Sequence, residues 1–199
     1  MSSLEERIEL LENDLKAVPT RISVYHDLPF AILRYDPTEE WDLRREVKLL
    51  ATRLEAVGQN VHVIPMSELL WNALDRVHEK DEDEGLEAVI ALEKDRGYEA
   101  AQRQVTTYLS SEVWIPLWEL LADRLSSIRA ENSVVFLTRV AVMSPGIFHV
   151  SMLLDKMHGR TRIATILFYP GSIEGTTGLR FMNLKDRDTL GNYRVKIYG

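Results

Sequence analysis

Short, strand-like apolar runs alternate with long helical patterns along this chain, and that alternation leaves few folds open. Residues 29–35 (PFAILRY), 60–64 (NVHVI), 132–140 (NSVVFLTRV) and 162–169 (RIATILFY) read as strands. Three of them are too uniformly apolar to have one wet face, which is the pattern of a parallel sheet covered on both sides. Between them lie stretches with apolar residues at helical spacing, long enough to return the chain to the same end of a sheet. The pattern therefore predicts an α/β fold of three layers: a mostly parallel sheet with helices on both faces. The chain has 199 residues, so it is expected to form one domain.

Local signals set the expected boundaries. Ser3 with Glu6 forms a capping box for a helix over residues 4–17, with Leu4, Ile8, Leu11 and Leu15 on one face. Thr38 is the expected cap of a helix over 38–57, whose core face would carry Trp41, Val47, Leu50, Leu54 and Val57. Ser67 would cap a helix to about Val77. Residues 86–128 read as an all-helical insertion of three helices, 86–95, 98–109 and 112–128, broken at Gly97 and with Pro116 near the first turn of the third. A further helix is expected over 145–157. Pro170-Gly171 is expected to end the fourth strand. A short strand-rich segment, with candidates at 179–184 and 193–198, closes the chain at residues 172–199. The run HEKDEDE at residues 78–84 has no apolar residue and reads as a mobile loop. All four tryptophans, Trp41, Trp71, Trp114 and Trp118, fall in helical stretches and read as core.

Several function classes lose support here. There is no cysteine, hence no disulfide scaffold, thiol nucleophile or Cys-ligated metal. The histidines form no HxH, HExxH or HxxxH pattern, so no zinc motif stands in the sequence. Neither phosphate-loop nor dinucleotide glycine motif is found, and no cofactor is expected. No apolar run approaches ~18 residues. The acidic, amphipathic N-terminus resembles neither a signal nor a transit peptide, and a cytoplasmic location is expected. The net charge of −7 disfavours direct nucleic-acid binding. The charge is uneven: residues 1–155 carry 16 basic and 28 acidic groups, residues 156–199 carry 8 and 3. The basic tail either packs on the acidic body or offers a site to a partner.

In open parallel sheets, ligands lie beyond the carboxyl ends of the strands. Asp36, Arg139 and Tyr169 stand there and are the candidate pocket residues. With the first and third strands as neighbours, Asp36 and Arg139 would face one another. Asp36 reads equally as a turn or helix cap. The loop 171–178, with Gly171 and Gly175, is either an anion cradle or an ordinary glycine-rich loop. Ser144 sits where a nucleophile elbow would, without the G-x-S-x-G spacing, and reads as a helix cap. The partner-facing candidates are Arg180 and Arg194, basic residues among aromatics in the C-terminal segment.

Two stretches carry a family resemblance. One is Leu28-Pro29-Phe30-Ala31-Ile32-Leu33-Arg34-Tyr35-Asp36-Pro37, followed by Glu39-Glu40 and a helix over 44–54. The other is Leu167-Phe168-Tyr169-Pro170-Gly171, then Gly175, Leu179, Phe181 and Tyr193-Arg194. Together they resemble the BrxB family, small B subunits of bacteriophage-exclusion (BREX) defence systems. This chain departs from the family pattern in having Asn192 before Tyr193-Arg194, and Arg139-Val140-Ala141 in place of a glycine-rich turn. The resemblance implies a cytoplasmic subunit of an anti-phage complex beside a PglX-type adenine methyltransferase, a PglZ-like protein and a large ATPase. It implies no assigned chemistry. An adaptor joining catalytic subunits is the reading that follows. A nucleotide- or anion-binding sensor, or a magnesium-dependent hydrolase or nuclease built on Asp36, are the alternatives.

Overall fold

A computed structural model of the chain describes residues 2–22, 28–143, 148–175, 178–184 and 193–199. The elements begin with α1 (Leu4–Lys16), β1 (Phe30–Tyr35), α2 (Glu40–Glu55) and β2 (Asn60–Pro65). Four helices follow: α3 (Met66–Lys80), α4 (Leu86–Arg96), α5 (Tyr98–Ser110) and α6 (Leu117–Ser126). Then come β3 (Ser133–Thr138), α7 (Val150–Lys156), β4 (Ala164–Glu174), β5 (Gly178–Phe181) and β6 (Lys196–Tyr198). The strands form one sheet in the order β2-β3-β4-β1-β6, all parallel, and β5 pairs antiparallel with the outer part of β4. The α/β, mostly parallel architecture expected from the strand–helix alternation is the one observed.

The pleat sorts the apolar runs into two cores. In β1 every residue is buried, and successive side chains point to opposite faces. Ala31, Leu33 and Tyr35 pack with Ile8 and Leu11 of α1, with Leu43, Leu50 and Leu54 of α2, and with Phe136 and Phe168 of the neighbouring strands. Phe30 and Ile32 point the other way and pack with Ile64, Val135, Leu137 and Leu167 under α3 to α7. Phe136 and Phe168 meet edge to face at 5.4 Å between neighbouring strands. Among the described residues, one layer thus has two helices and the other has five.

Several expectations are corrected. Strand β4 lies between β1 and β3, so the first and third strands are not neighbours and do not set Asp36 opposite Arg139. The order depends on which crossover passes over which strand, and α2 carries the chain from β1 past two positions to the far edge. Strand β4 does not end at Pro170-Gly171 but runs on to Glu174. Pro170 lacks an N–H, yet its carbonyl accepts from the Met182 N–H (2.9 Å), so the ladder passes through it. A Cβ on Gly171 (φ +153°) would collide with the Arg180 carbonyl oxygen, so the hairpin with β5 needs glycine there. Beyond β5 the chain leaves the ladder through Met182 and Asn183, both at positive φ.

The acidic run is not a loop throughout. His78, Glu79 and Lys80 are the last residues of α3, whose apolar stripe continues to Val77. The Lys80 ammonium there complements the helix dipole. The corner that follows is tethered: the Tyr108 hydroxyl donates to the Glu84 carboxylate and accepts from the Gly85 N–H (3.2 Å). Of the tryptophans, Trp118 is buried, while Trp41 is 77% and Trp71 50% exposed. Helix α6 starts only at Leu117, after Pro116. The expected start of α7 and the Ser144 turn lie outside the described residues.

Candidate functional site

The carboxyl ends of the parallel strands carry a closed set of polar contacts. Asp36, rather than Thr38, caps the short turn after β1. Its Oδ1 accepts from the Thr38 N–H (2.9 Å) and hydroxyl (2.6 Å), and its Oδ2 accepts from Asn183 Nδ2 (3.2 Å). The hydrogen bonds from Thr38 hold its carboxyl below the usual carboxylate range. The Glu39 carboxylate accepts from the Asp36 N–H (2.9 Å) and from Arg7 Nη2 (3.1 Å). The Arg7 side chain is almost wholly buried and reaches this turn from α1. Metal-assisted hydrolysis at Asp36 needs further carboxylates converging with it. Among the described residues no group of three or more His, Cys, Asp or Glu is placed to hold a metal ion.

Behind this turn, Arg34 is 3% exposed and stands in register with Tyr169 of β4. Burial lowers its pKa, Arg7 adds to that, and Glu39 and Asp36 pull the other way. Tyr169 is buried, with Phe181 at 5.3 Å and Tyr193 at 6.2 Å, both edge to face. Burial pushes both tyrosine hydroxyls above their ordinary range. The Tyr-Pro-Gly stretch, Phe181 and Tyr193, far apart in sequence, thus form one aromatic joint that fixes the β4–β5 hairpin to the sheet. Gly175 takes a positive φ of 63° at the hairpin corner, with open space where a Cβ would stand. Of the two partner-facing candidates, Arg180 is partly buried and ion-paired with Glu174, whereas Arg194 is exposed. The expectation of an exposed Arg180 is therefore corrected: its guanidinium reaches across the hairpin to the Glu174 carboxylate.

Arg139 follows β3 in a left-handed conformation (φ +55°) and lines a small pocket of about 280 Å³. Tyr35, Glu40, Arg44, Ser67 and Met182 share this pocket, which opens where β1 to β4 end. Glu40 lines it as well. It accepts from the Tyr35 hydroxyl and from Arg44 Nε (2.7 Å). Burial first, and then Glu40, drive the Tyr35 hydroxyl far above its ordinary range, so it stays a proton donor.

Arg139 and Arg44 also line a larger groove of about 940 Å³ between α2 and the outer strands. Leu43 and Val47 line its floor, and Trp41 and Leu49 of α2 and Val63 of β2 are its exposed large apolar side chains. The Arg44 guanidinium lies 4.6 Å above the Trp41 ring. Assigning Trp41 to the core hides this groove from a sequence reading. The signal is nonetheless present in the helix: Leu43, Val47, Leu50 and Leu54 make one stripe, and Trp41, Arg45, Lys48, Leu49 and Thr52 fall at helical spacing on another. The strand-end carboxylates are engaged by caps, hydroxyls and guanidinium groups. Next to them lies an open apolar surface with a basic rim, an arrangement suited to recognition.

No curated protein and no solved structure matches this chain. A family profile described as BREX protein BrxB matches residues 64–197, about two thirds of the chain. The matched part includes α3 to α7, β3, β4 and the aromatic joint, while β1, its Asp36 turn and α2 precede it. On that match over most of its length, the chain belongs to the BrxB family and is a subunit of a BREX defence system.

Proposed function

We propose that this subunit is a non-catalytic adaptor, joining a PglZ-like protein and a PglX-type methyltransferase within a cytoplasmic defence complex. The observation that carries this reading is the groove beside α2, where Trp41 is 77% exposed with Leu49 and Val63 around it. A tryptophan under an arginine, next to aliphatic side chains, is the composition of an interface hot spot. Arg194 on the C-terminal segment is a second contact for the partner, and Arg180 contributes less because Glu174 holds it.

Co-expression with the PglZ-like subunit tests this. A complex that survives purification is expected, weakened by Trp41→Ala and less strongly by Arg180→Glu/Arg194→Glu, with each variant folded. Undiminished binding by both variants would place the interface elsewhere. Turnover of nucleotide or DNA by the isolated chain, abolished by Asp36→Ala, would overturn the non-catalytic reading.

The strand-end pocket favours a second reading, a sensor of a small anion or nucleotide. Arg139 and Ser67 line it, and both can contact a phosphate. A ligand that binds only the folded chain raises its melting temperature. An upward shift with ATP or phosphate that disappears in Arg139→Ala would support it, and no shift at saturating concentration would remove it.

A further inference from the structure

Strand β2 is the outer edge of the sheet, next to β3 only. The Asn60 N–H donates to the Asn132 carbonyl (2.6 Å) on the β3 side. Because backbone groups alternate sides along a strand, Val61 and Val63 direct their N–H and C=O groups outward. Edge strands are ordinarily guarded by lysine, by a bulge or by a covering loop. Proline is another such guard, and β2 has one at its last position, Pro65; Asn60 to Ile64 carry neither lysine nor proline, and Val63 is 49% exposed. Grooves flank it on both faces. One is the Trp41 groove of α2, and the other, about 620 Å³, lies against Arg124, Ile128 and Arg129 at the end of α6.

The charge along these grooves identifies the occupant. Arg44, Arg45, Lys48 and Arg139 line one groove, Arg124 and Arg129 the other, and among the described residues Glu40 is the one carboxylate lining either. This basic rim stands on a chain of net charge −7. Arg44 pairs with Glu40, and Arg45 with Glu46 as well as Asp42; the pairs of Arg45, Arg124 and Arg129 with Asp42, Glu68 and Glu131 lie on the exposed surface, where such pairs are weak and readily exchanged. A second copy of this chain paired edge to edge would bring two basic rims together, so like charge opposes it. We propose that the β2 edge is a docking site for an extended acidic segment of another protein. That segment adds a strand outside β2, sets aliphatic side chains against Trp41, Leu49 and Val63 on one face, and places its alternate Asp or Glu side chains against Arg124 and Arg129 on the other. Main-chain pairing supplies affinity, and alternate side chains supply selectivity. This rests on the adaptor reading and deepens it by giving the partner's chemistry.

A blocked, fluorescent peptide alternating Glu with Val is the probe, with a Lys/Val counterpart as control. Saturable binding of the Glu peptide is expected, with new hydrogen-exchange protection at the Val61 and Val63 amides. Val63→Pro removes an outward N–H and no bond to β3, so the variant should fold, as circular dichroism would verify, and should weaken binding about tenfold or more. Arg124→Glu/Arg129→Glu should weaken it as well and strengthen binding of the Lys peptide. Equal binding of both peptides, or undiminished binding by both variants, would overturn the proposal. So would absence of Glu-peptide binding, or a dimer of the free chain that Val63→Pro dissolves. Loss of peptide binding with the PglZ-like complex intact would remove this site alone; peptide binding without any such complex would remove the adaptor reading alone.

Discussion

Gly171 and Tyr108 each hold together pieces of chain that are remote in sequence. A methyl group at position 171 would meet the backbone of Arg180, which cannot move aside while β5 stays paired with β4. Gly171→Ala should cost roughly 1–3 kcal/mol, as overpacking does. Chemical denaturation of the two proteins would measure it. Tyr108→Phe removes the hydroxyl that holds both Glu84 and Gly85. A loss of about 1–2 kcal/mol is expected, and no loss would show that the acidic corner is as free as its composition implies. Neither role is legible locally, because the partner of each residue lies elsewhere in the chain. The Ser3–Glu6 capping box, by contrast, is wholly local and is present as the sequence implies. The Glu6 N–H donates to Ser3 Oγ (3.1 Å) and the Ser3 N–H to the Glu6 carboxylate (2.7 Å). Thr38 is displaced as a cap by Asp36, two residues earlier, whose carboxylate is free to accept and which Glu39 is placed to answer. Trp41 misleads because its residue type says core while its helix position says surface.

At the scale of elements, continuous apolar runs are enough to find β1, β3 and β4, because burial on both faces leaves that signature. Their order is not legible, since α2 bridges two intervening strands and nothing in its own sequence records that span. The extension of β4 beyond Pro170 is hidden for a related reason: its partner β5 follows a hairpin, and a proline carbonyl suffices for that ladder. The basic C-terminal segment is partly explained by packing. Asp14 of α1 accepts from Lys196 Nζ (2.5 Å) and from the Tyr198 hydroxyl (2.7 Å) of β6. Burial alone would raise the Asp14 pKa, but these hydrogen bonds outweigh it and leave it lowered. A carboxyl lowered on folding stabilises the folded state above its unfolded pKa of about 3.9, and that contribution is lost as pH falls through the folded value. Asp14→Asn should therefore be less stable than the parent near neutral pH, and the two should converge in acid. A pH series of melting curves checks this, and a constant gap down to strong acid would contradict it.

For the whole molecule, the two cores are unequal: among the described residues, five helices cover one face of the sheet and two cover the other. The thinly covered face is where Trp41, Leu49 and Val63 meet water, next to an edge strand and a basic rim. On the proposed adaptor reading this groove receives the partner, and steering by its cations should make association fall with salt. The most direct measurement is calorimetric titration of the folded chain with the purified PglZ-like subunit. Saturable binding is predicted, weakened about tenfold or more by Trp41→Ala, the loss expected when a hot-spot tryptophan is truncated. Unchanged affinity in a folded Trp41→Ala variant, or no binding by the parent chain, would contradict the account.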